Sequence, residues 1–240
     1  VLGLRRLFVV PDGAKGSEGA YVDQPFEDLI GQLTLESRRA ACVVVGEDLG
    51  TVPWGFRERM AEAQVLSYQV VWFEREGAGF RSPHAYPALG TAVVGTHDLP
   101  TLAGWWIGDD IAEDLRLGRM AADAEAGARA AREREKRILV DTMIAAGALS
   151  SEEGEETLPV DLTDEIAAAI HAYAGQGPSL LALVQVDDLS GEVERLNLPG
   201  TDRERPNWRR RLSVGVEHLL ETTRAKAVIA GLADRRADRS

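Results

Sequence analysis

An α/β fold with parallel strands is predicted by an alternation of patterns and by two chemically similar strand ends. Between residues 25 and 98, helix-like spacing of apolar residues alternates with short β-branched runs. Ala41-Cys-Val-Val-Val-Gly-Glu-Asp48 and Ala92-Val-Val-Gly-Thr-His-Asp98 each climb an apolar run to a glycine and finish on groups able to do chemistry. Runs of this kind are buried on both faces in parallel sheets, which carry their active groups at the carboxyl ends of strands. The residues alone leave an α/β barrel and an open doubly wound sheet both open. No G-x-G-x-x-G or G-x-x-x-x-G-K-[ST] sits at a strand-to-helix turn, which weakens a nucleotide-binding reading.

Taken in order, residues 2–10 are the tail of a strand passing into a loop or short helix, and residues 11–19 are a glycine-rich exposed loop. Residues 20–22 are extended. Pro25 at a first helical turn, followed by Phe26, Leu29, Ile30 and Leu33, predicts an amphipathic helix to about Arg39. A strand at 41–46 follows, then a helix from Thr51 and Pro53 to about Ala63, carrying Phe56 and Met60. Residues 65–73 read as an aromatic-bearing strand, 77–87 as a loop, and 91–96 as the strand leading to His97 and Asp98. From Thr101 to about Gly175 the chain turns helical. Residues 121–146 read as a long solvent-facing helix laced with Glu125, Arg129, Arg132, Glu133 and Arg137. Ser150-Ser-Glu-Glu and Leu162-Thr-Asp-Glu mark two further helix starts, the second helix running to about Ala174. Gly177-Pro178 resets the chain, residues 179–186 form the last strong strand ending at Asp187-Asp188, and 191–205 are a loop. Pro206-Asn-Trp-Arg-Arg-Arg211 leads to a closing helix at about 214–230, with arginines serving that helix and a frayed tail from Asp234.

At 240 residues the chain is long enough to bury a sizeable core, and 45% hydrophobic with 28% charged residues is ordinary for a soluble globular protein. A net charge of −12 argues against nucleic acid or an anionic membrane as the main partner. Cys42 is the single cysteine, so no intrachain disulfide can form, as suits a cytoplasmic protein. No apolar run approaches the roughly 20 residues of a membrane span. No basic segment followed by an apolar one opens the chain, which starts on Val1-Leu-Gly-Leu as if within an element, so an N-terminally truncated piece is expected.

Glycosyl transfer and hydrolysis need paired carboxylates around the scissile bond, roughly 5–5.5 Å apart in the retaining class. Two strand ends of one sheet would bring Glu47 and Asp98 near each other. Glu47 suits a general acid held in a partly desolvated cleft, and Asp98 beside His97 suits a group that hydrogen-bonds sugar hydroxyls. Glu47 and Asp48 point to opposite sides of an extended chain, so only one faces a given cavity. The bland alternative is that both cap the helix after Pro53 or bind a nearby arginine. A second alternative gathers Glu47, Asp98, Asp187 and Asp188 around Mg²⁺, although His97 has no second histidine at ligand spacing. Tyr68, Trp72, Tyr86, Trp105, Trp106 and Trp208 are candidate platforms for a sugar face, with Gly104-Trp-Trp better suited to packing a helix start. Ser179 and Cys42 lack a base in register and are discarded as nucleophiles.

These residues resemble a known family. Gly46-Glu-Asp-Leu-Gly50, Thr96-His-Asp98 with Thr101 and Gly104-Trp-Trp106, and Asn197-Leu-Pro-Gly-Thr201 with Pro206-Asn-Trp208 are similar to the 4-α-glucanotransferases. These are the amylomaltases or disproportionating enzymes of glycoside hydrolase family 77. Leu4-Arg-Arg-Leu-Phe8, Gly19-Ala-Tyr-Val22 and Val65-Leu-Ser-Tyr-Gln-Val70 extend the likeness over essentially the whole chain. The resemblance implies a (β/α)8 TIM barrel with a helical insertion, acting on α-1,4-glucans and maltooligosaccharides without a cofactor or metal. It implies Glu47 as general acid/base, Asp98 as the third carboxylate that stabilises the transition state, and His97, Tyr68 and Asn197 as substrate-binding residues. The family's nucleophilic aspartate lies in an Arg-x-Asp-His segment that no residue here matches. The expectation is therefore a C-terminal part of the barrel, about strands five to eight, inactive and poorly stable alone. Residues 1–106 would carry strands five to seven, 107–176 the helical insertion, and 177–240 the last strand, substrate loop and closing helix. The competing function is a non-catalytic glucan-binding module derived from the same barrel.

Overall fold

The alternation survives in the structure, but the strands are shorter than the apolar runs that encode them. The computed structural model describes residues 1–151 and 157–237. It divides into two compact units: Val1–Gln69 with Pro87–Thr91 and Ser179–Leu181, and Val70–Tyr86 with Ala92–Pro178 and Ala182–Ser240.

In the first unit a 3-10 turn at Leu2–Leu4 leads to β1 (Arg6–Val9), which pairs antiparallel with β2 (Ala20–Asp23). Phe8 and Tyr21 oppose each other with ring centroids 5.0 Å apart, as cross-strand aromatic neighbours do. Helix α1 (Phe26–Arg39) follows the predicted bounds, and its apolar stripe turns Phe26 and Ile30 inward. They meet Phe56 and Met60 of α2 (Phe56–Glu62) in a small core with Ala63 and Val65, the Phe26 and Phe56 rings stacking at 5.3 Å.

The run at 41–46 is not the buried strand its composition suggested. It makes one parallel bridge, Val45 to Leu66, with Leu66 N–H donating to the Val44 carbonyl at 3.0 Å and Gly46 N–H to the Leu66 carbonyl at 2.8 Å. A parallel strand buried on both sides needs two neighbours, and this one has a single neighbour here, so Val43 stays 59% exposed and Cys42 is exposed as well. Gly46 is closely packed: a Cβ there would lie 2.6 Å from Met60 Cε and 3.0 Å from Val65 Cγ1, so both side chains would have to shift.

Three strands form the parallel sheet: β3 (Ser67–Val70), β6 (Gly90–Val93) and β7 (Leu181–Ala182), in the order β3-β6-β7. Ser67 N–H donates to the Leu89 carbonyl at 3.0 Å and Val71 N–H to the Val93 carbonyl at 2.9 Å, so both partners advance together. The expected loop at 77–87 instead contains a short hairpin, β4 (Arg75–Glu76) with β5 (Gly79–Phe80), and a 3-10 turn at Pro83–Ala85. The last strand is also much shorter than 179–186. From Val186 the backbone turns into α7 (Val186–Ser190), which places Asp187 and Asp188 in a first helical turn and not at a strand end.

The second unit is mostly helical: α3 (Leu102–Ile107), α4 (Asp109–Arg116), α5 (Glu125–Ala145), α6 (Asp164–Gly175) and α8 (Thr223–Ala237). Thr163 caps α6 as predicted, its hydroxyl accepting from Ile166 N–H at 3.2 Å. Trp106, Leu139, Met143, Ile170 and Tyr173 form the centre of its core. Helix α5 is therefore not simply solvent-facing. Its second half buries Leu139, Val140 and Met143, and the buried Lys136 ammonium pairs with Glu133 at 2.7 Å over the Trp106 ring. The Ser150-Ser-Glu-Glu helix start runs into 152–156, outside the described residues. The closing helix begins later than expected, at Thr223, because the Thr222 hydroxyl caps it by accepting from Ala225 N–H at 3.1 Å. It runs through Asp234 to Ala237, where a frayed tail was expected.

Candidate active site

In the first unit the neighbouring carboxylates Glu47 and Asp48 separate as an extended backbone demands. Asp48 is fully buried. It accepts from Arg57 Nε at 2.6 Å and from the Tyr68 backbone N–H at 2.9 Å, while Arg57 Nη2 also donates to the Asp48 carbonyl at 3.1 Å. The arginine partner that was the bland alternative for both carboxylates thus belongs to Asp48 alone. Glu47 is exposed, and its carboxylate has no hydrogen-bond or ion-pair partner among the described residues. The partly desolvated cleft expected around Glu47 is not formed by the residues of this unit. The Tyr68 phenol is half-buried, and its pKa is raised by burial and then by the negative charge of Glu47. The two side chains therefore feel one another electrostatically.

In the second unit the chain after β6 makes a tight turn in which Leu99 N–H donates to the Thr96 carbonyl at 3.1 Å, leaving His97 and Asp98 exposed at the strand end. Thr101 closes the turn as the N-cap of α3. Its hydroxyl accepts from Gly104 N–H at 3.0 Å and donates to the Val193 carbonyl at 2.9 Å. A Cβ on Gly104 would run into the Val193 carbonyl, which explains glycine before the two tryptophans. Leu102 N–H donates to buried Asp188 at 3.0 Å, and Asp188 faces His171 at 3.3 Å. The strand end is thereby tied to the late loop and to α7.

That late loop completes the site. Asn197 Nδ2 donates to Asp98 Oδ1 at 2.6 Å, and His97 Nε2 lies 3.5 Å from the same oxygen. The Trp208 ring stands 5.2 Å from the His97 ring, centroid to centroid, and is 58% exposed. Trp208 also has a positive φ of 61°, unusual for so bulky a residue, and its N–H donates to the Leu196 carbonyl at 3.1 Å. Asn197, Asn207 and Trp208 line an open cavity of about 360 Å³. Of the arginines after Trp208, Arg210 does not serve the closing helix as expected: it pairs with Asp187 of α7 and, at 3.2 Å, with Glu192.

His97, Asp98 and Asn197 are thus brought together in one unit, and Glu47 and Tyr68 in the other. Of the aromatic candidates, Tyr86, Trp106 and Trp72 serve packing. Tyr86 is buried and Trp106 lies at the centre of the core, donating its Nε1–H to the Pro159 carbonyl. Trp72 and Trp105 pack against each other at 4.6 Å. The Mg²⁺ set does not assemble: Asp187 is paired with Arg210 and Asp188 with His171 and Leu102. No group of three or more His, Cys, Asp or Glu able to hold a metal occurs among the described residues. Sequence reasoning gave no role to Glu113, Arg195 or Arg205, which frame the late loop. Spacing carries no trace of contacts between residues so distant along the chain.

The 4-alpha-glucanotransferase model of glycoside hydrolase family 77 matches residues 1–217. The 4-alpha-glucanotransferase of Haemophilus influenzae is 33% identical over 213 residues, covering 89% of this chain and 30% of the relative. That of Mycobacterium tuberculosis is 35% identical over 215 residues, covering 87% and 29%. The structure of amylomaltase from Corynebacterium glutamicum superposes with a TM-score of 0.86 at 32% identity, over 97% of this chain and 34% of that one. Amylomaltase from Streptococcus agalactiae, solved with acarbose, gives a TM-score of 0.62 at 16% identity, over 98% and 40%, and supports the fold alone. The chain therefore spans about a third of the length of the relatives it matches. Among the described residues, no helix is long and apolar enough to cross a membrane.

Proposed function

The chain belongs to the 4-alpha-glucanotransferase family of glycoside hydrolase family 77, and from that premise we propose that it supplies the acid/base side of an α-1,4-glucan transfer site. The observation that carries the reading is Asp98, held by Asn197 beside His97 and Trp208 at an open strand end. Glu47 supports it, because a proton carrier must be free to reach its substrate and the Glu47 carboxylate, unlike that of Asp48, has no hydrogen-bond or ion-pair partner among the described residues. We read residues 1–106 and 177–240 as strands five to eight of a (β/α)8 barrel with their loops, and 107–176 as a helical insertion.

In the proposed retaining double displacement, Glu47 protonates the glycosidic oxygen as the bond from sugar C1 breaks. The same carboxylate then removes the proton from the incoming sugar hydroxyl. Asp98 accepts hydrogen bonds from sugar hydroxyls as the ring flattens, with Asn197 fixing one of its oxygens and leaving the other for substrate. His97 and Tyr68 add polar contacts to the bound maltooligosaccharide, and Trp208 presents an indole face. The covalent step needs a carboxylate nucleophile that no residue of this chain matches in the family's motif, so this segment alone does not disproportionate.

The test is Glu47→Gln in a complete enzyme carrying this segment, assayed by glucose release from maltotriose. Loss of a general acid/base lowers the rate by about 10²–10⁴-fold. A near wild-type rate sinks the assignment, and glucose release by the 240-residue chain alone sinks the claim that it lacks a nucleophile. Maltooligosaccharide binding without turnover by the complete enzyme would favour a glucan-binding module instead.

A further inference from the structure

We propose that Glu113, in the helical insertion, is a positioning residue for the sugar site, acting through Arg195 and Arg205 to hold Asn197 against Asp98. The proposal rests on the reading of Asp98 and Asn197 given above, but the network itself is visible in the contacts. Glu113 lies on α4 and is only 3% exposed. Arg195 Nε donates to its Oε2 at 2.5 Å and Arg205 Nε to its Oε1 at 2.7 Å. Both guanidiniums are themselves buried, at 7% and 5% exposure. Exposed Arg116 adds a longer contact to Oε1 at 3.3 Å, and Asp114 takes the far side of Arg195 at 3.0 Å.

A buried carboxylate bridging two buried guanidiniums is a costly arrangement to assemble and a rigid one once formed. Burial works to raise the Glu113 pKa, but the hydrogen bonds and charges of Arg205 and Arg195 outweigh it and hold the group below the usual carboxylate range. The purpose of that rigidity is visible in what the arginines do next. Arg205 Nη2 donates to the Arg195 carbonyl at 2.5 Å and Nη1 to Asn207 Oδ1 at 2.6 Å. Asn207 Oδ1 also accepts from Leu198 N–H at 3.1 Å, and Asn207 Nδ2 donates to the Thr201 hydroxyl at 2.9 Å. Arg195 and Leu198 flank the Leu196-Asn197 pair, so both ends of the Asn197 segment are pinned. Asn197 Nδ2 then reaches Asp98 Oδ1 at 2.6 Å. Asp114 of the same helix adds to the Arg195 end and Thr101 at the start of α3 holds the Val193 carbonyl, but Asn197 itself lies in a loop with no regular secondary structure. Glu113 is the anchor that an irregular loop needs in order to hold an amide within hydrogen-bond range of the carboxylate that receives the sugar hydroxyls.

The test is a double-mutant cycle on kcat/KM in the complete enzyme, using Glu113→Gln and Asn197→Ala. Each single change lowers kcat/KM by about tenfold, and the double variant falls by about the larger single effect, because both changes break one chain of contacts. A double variant that falls by the product, about 100-fold, overturns the proposal, as does an Asn197→Ala effect with no Glu113→Gln effect. Failure of the functional reading looks different: Asn197→Ala and Asp98→Asn then leave disproportionation unchanged. Should Glu113→Gln not fold, Arg205→Lys takes its place in the cycle, since it keeps a charge beside Glu113 but cannot reach both Asn207 and the Arg195 carbonyl. Amide hydrogen exchange in the complete enzyme supplies a second readout. Glu113→Gln speeds exchange at Leu198 by about tenfold while leaving Ala225, capped by Thr222, unchanged. Equal acceleration at both amides reports general destabilisation and overturns the positioning role.

Discussion

Replacing Asp48 and Glu47 in turn separates a carboxylate that holds the fold from its neighbour that is free for chemistry. Asp48→Ala removes two hydrogen bonds from a fully buried acceptor. The Arg57 partner is 58% exposed and regains water when released, so that pair contributes only about 1 kcal/mol. The Tyr68 N–H is different: it lies at the start of β3 and has no replacement acceptor, which costs about 2 kcal/mol. The sum is about 3 kcal/mol. Asp48→Asn keeps an acceptor for Tyr68 N–H and loses the charge, so it costs about 1 kcal/mol. Glu47→Gln, at an exposed and unbonded position, stays within about 0.5 kcal/mol of wild type. Urea denaturation followed by circular dichroism reads the series directly. At a slope of about 2 kcal/mol per molar urea, Asp48→Ala moves the midpoint down by about 1.5 M and Glu47→Gln by less than about 0.3 M. A Glu47→Gln shift as large as that of Asp48→Ala would refute the division of labour between the two carboxylates.

Acid should destabilise the second unit through Glu113 and Glu192. Both have pKa values lowered from 4.5: burial opposes this, but the Arg205 and Arg195 contacts prevail at Glu113 and the Ser213 hydrogen bonds prevail at Glu192. Folded values below the unfolded value mean that their stabilisation is fully present above about pH 4.5 and is lost as pH falls through the folded values. Urea midpoints taken from pH 7 down to about pH 3.5 will show this, and a Glu113→Gln chain with an identical acid loss would count against Glu113. Trp208→Ala should weaken maltooligosaccharide binding by the complete enzyme by about tenfold, with Trp208→Phe recovering most of it, as calorimetry can measure. Equal loss in both variants would mean that the backbone at its positive φ, and not the indole, is what matters.

The element types were legible wherever a local pattern was strong. Helix α1 follows from the spacing of Phe26 and Ile30, and α6 from the Thr163 cap, because both signals lie within a turn or two of the residues they organise. The candidate site residues Glu47, His97, Asp98 and Asn197 were picked out by short motifs, and three of them, His97, Asp98 and Asn197, lie together in the structure. Strand extent was not legible. The apolar runs at 41–46 and 179–186 promise long buried strands, yet strand length depends on how many partners the backbone finds, and Val43 is exposed for want of a second one. Arg210 departs from expectation for the same reason, because a guanidinium chooses partners in space and this one found Asp187 and Glu192.

By itself, then, the sequence determined the alternation of helix and strand, the helical middle of the chain, and the opposite facing of Glu47 and Asp48, all consequences of backbone periodicity. Only the tertiary structure decided that Asp48 is the structural member of that pair, that Asn197 meets Asp98, and that Glu113 meets Arg195 and Arg205 of the loop that carries Asn197. Those contacts join residues remote along the chain, and their strength comes from burial and from the mutual orientation of charged groups, which exist only once the chain has folded.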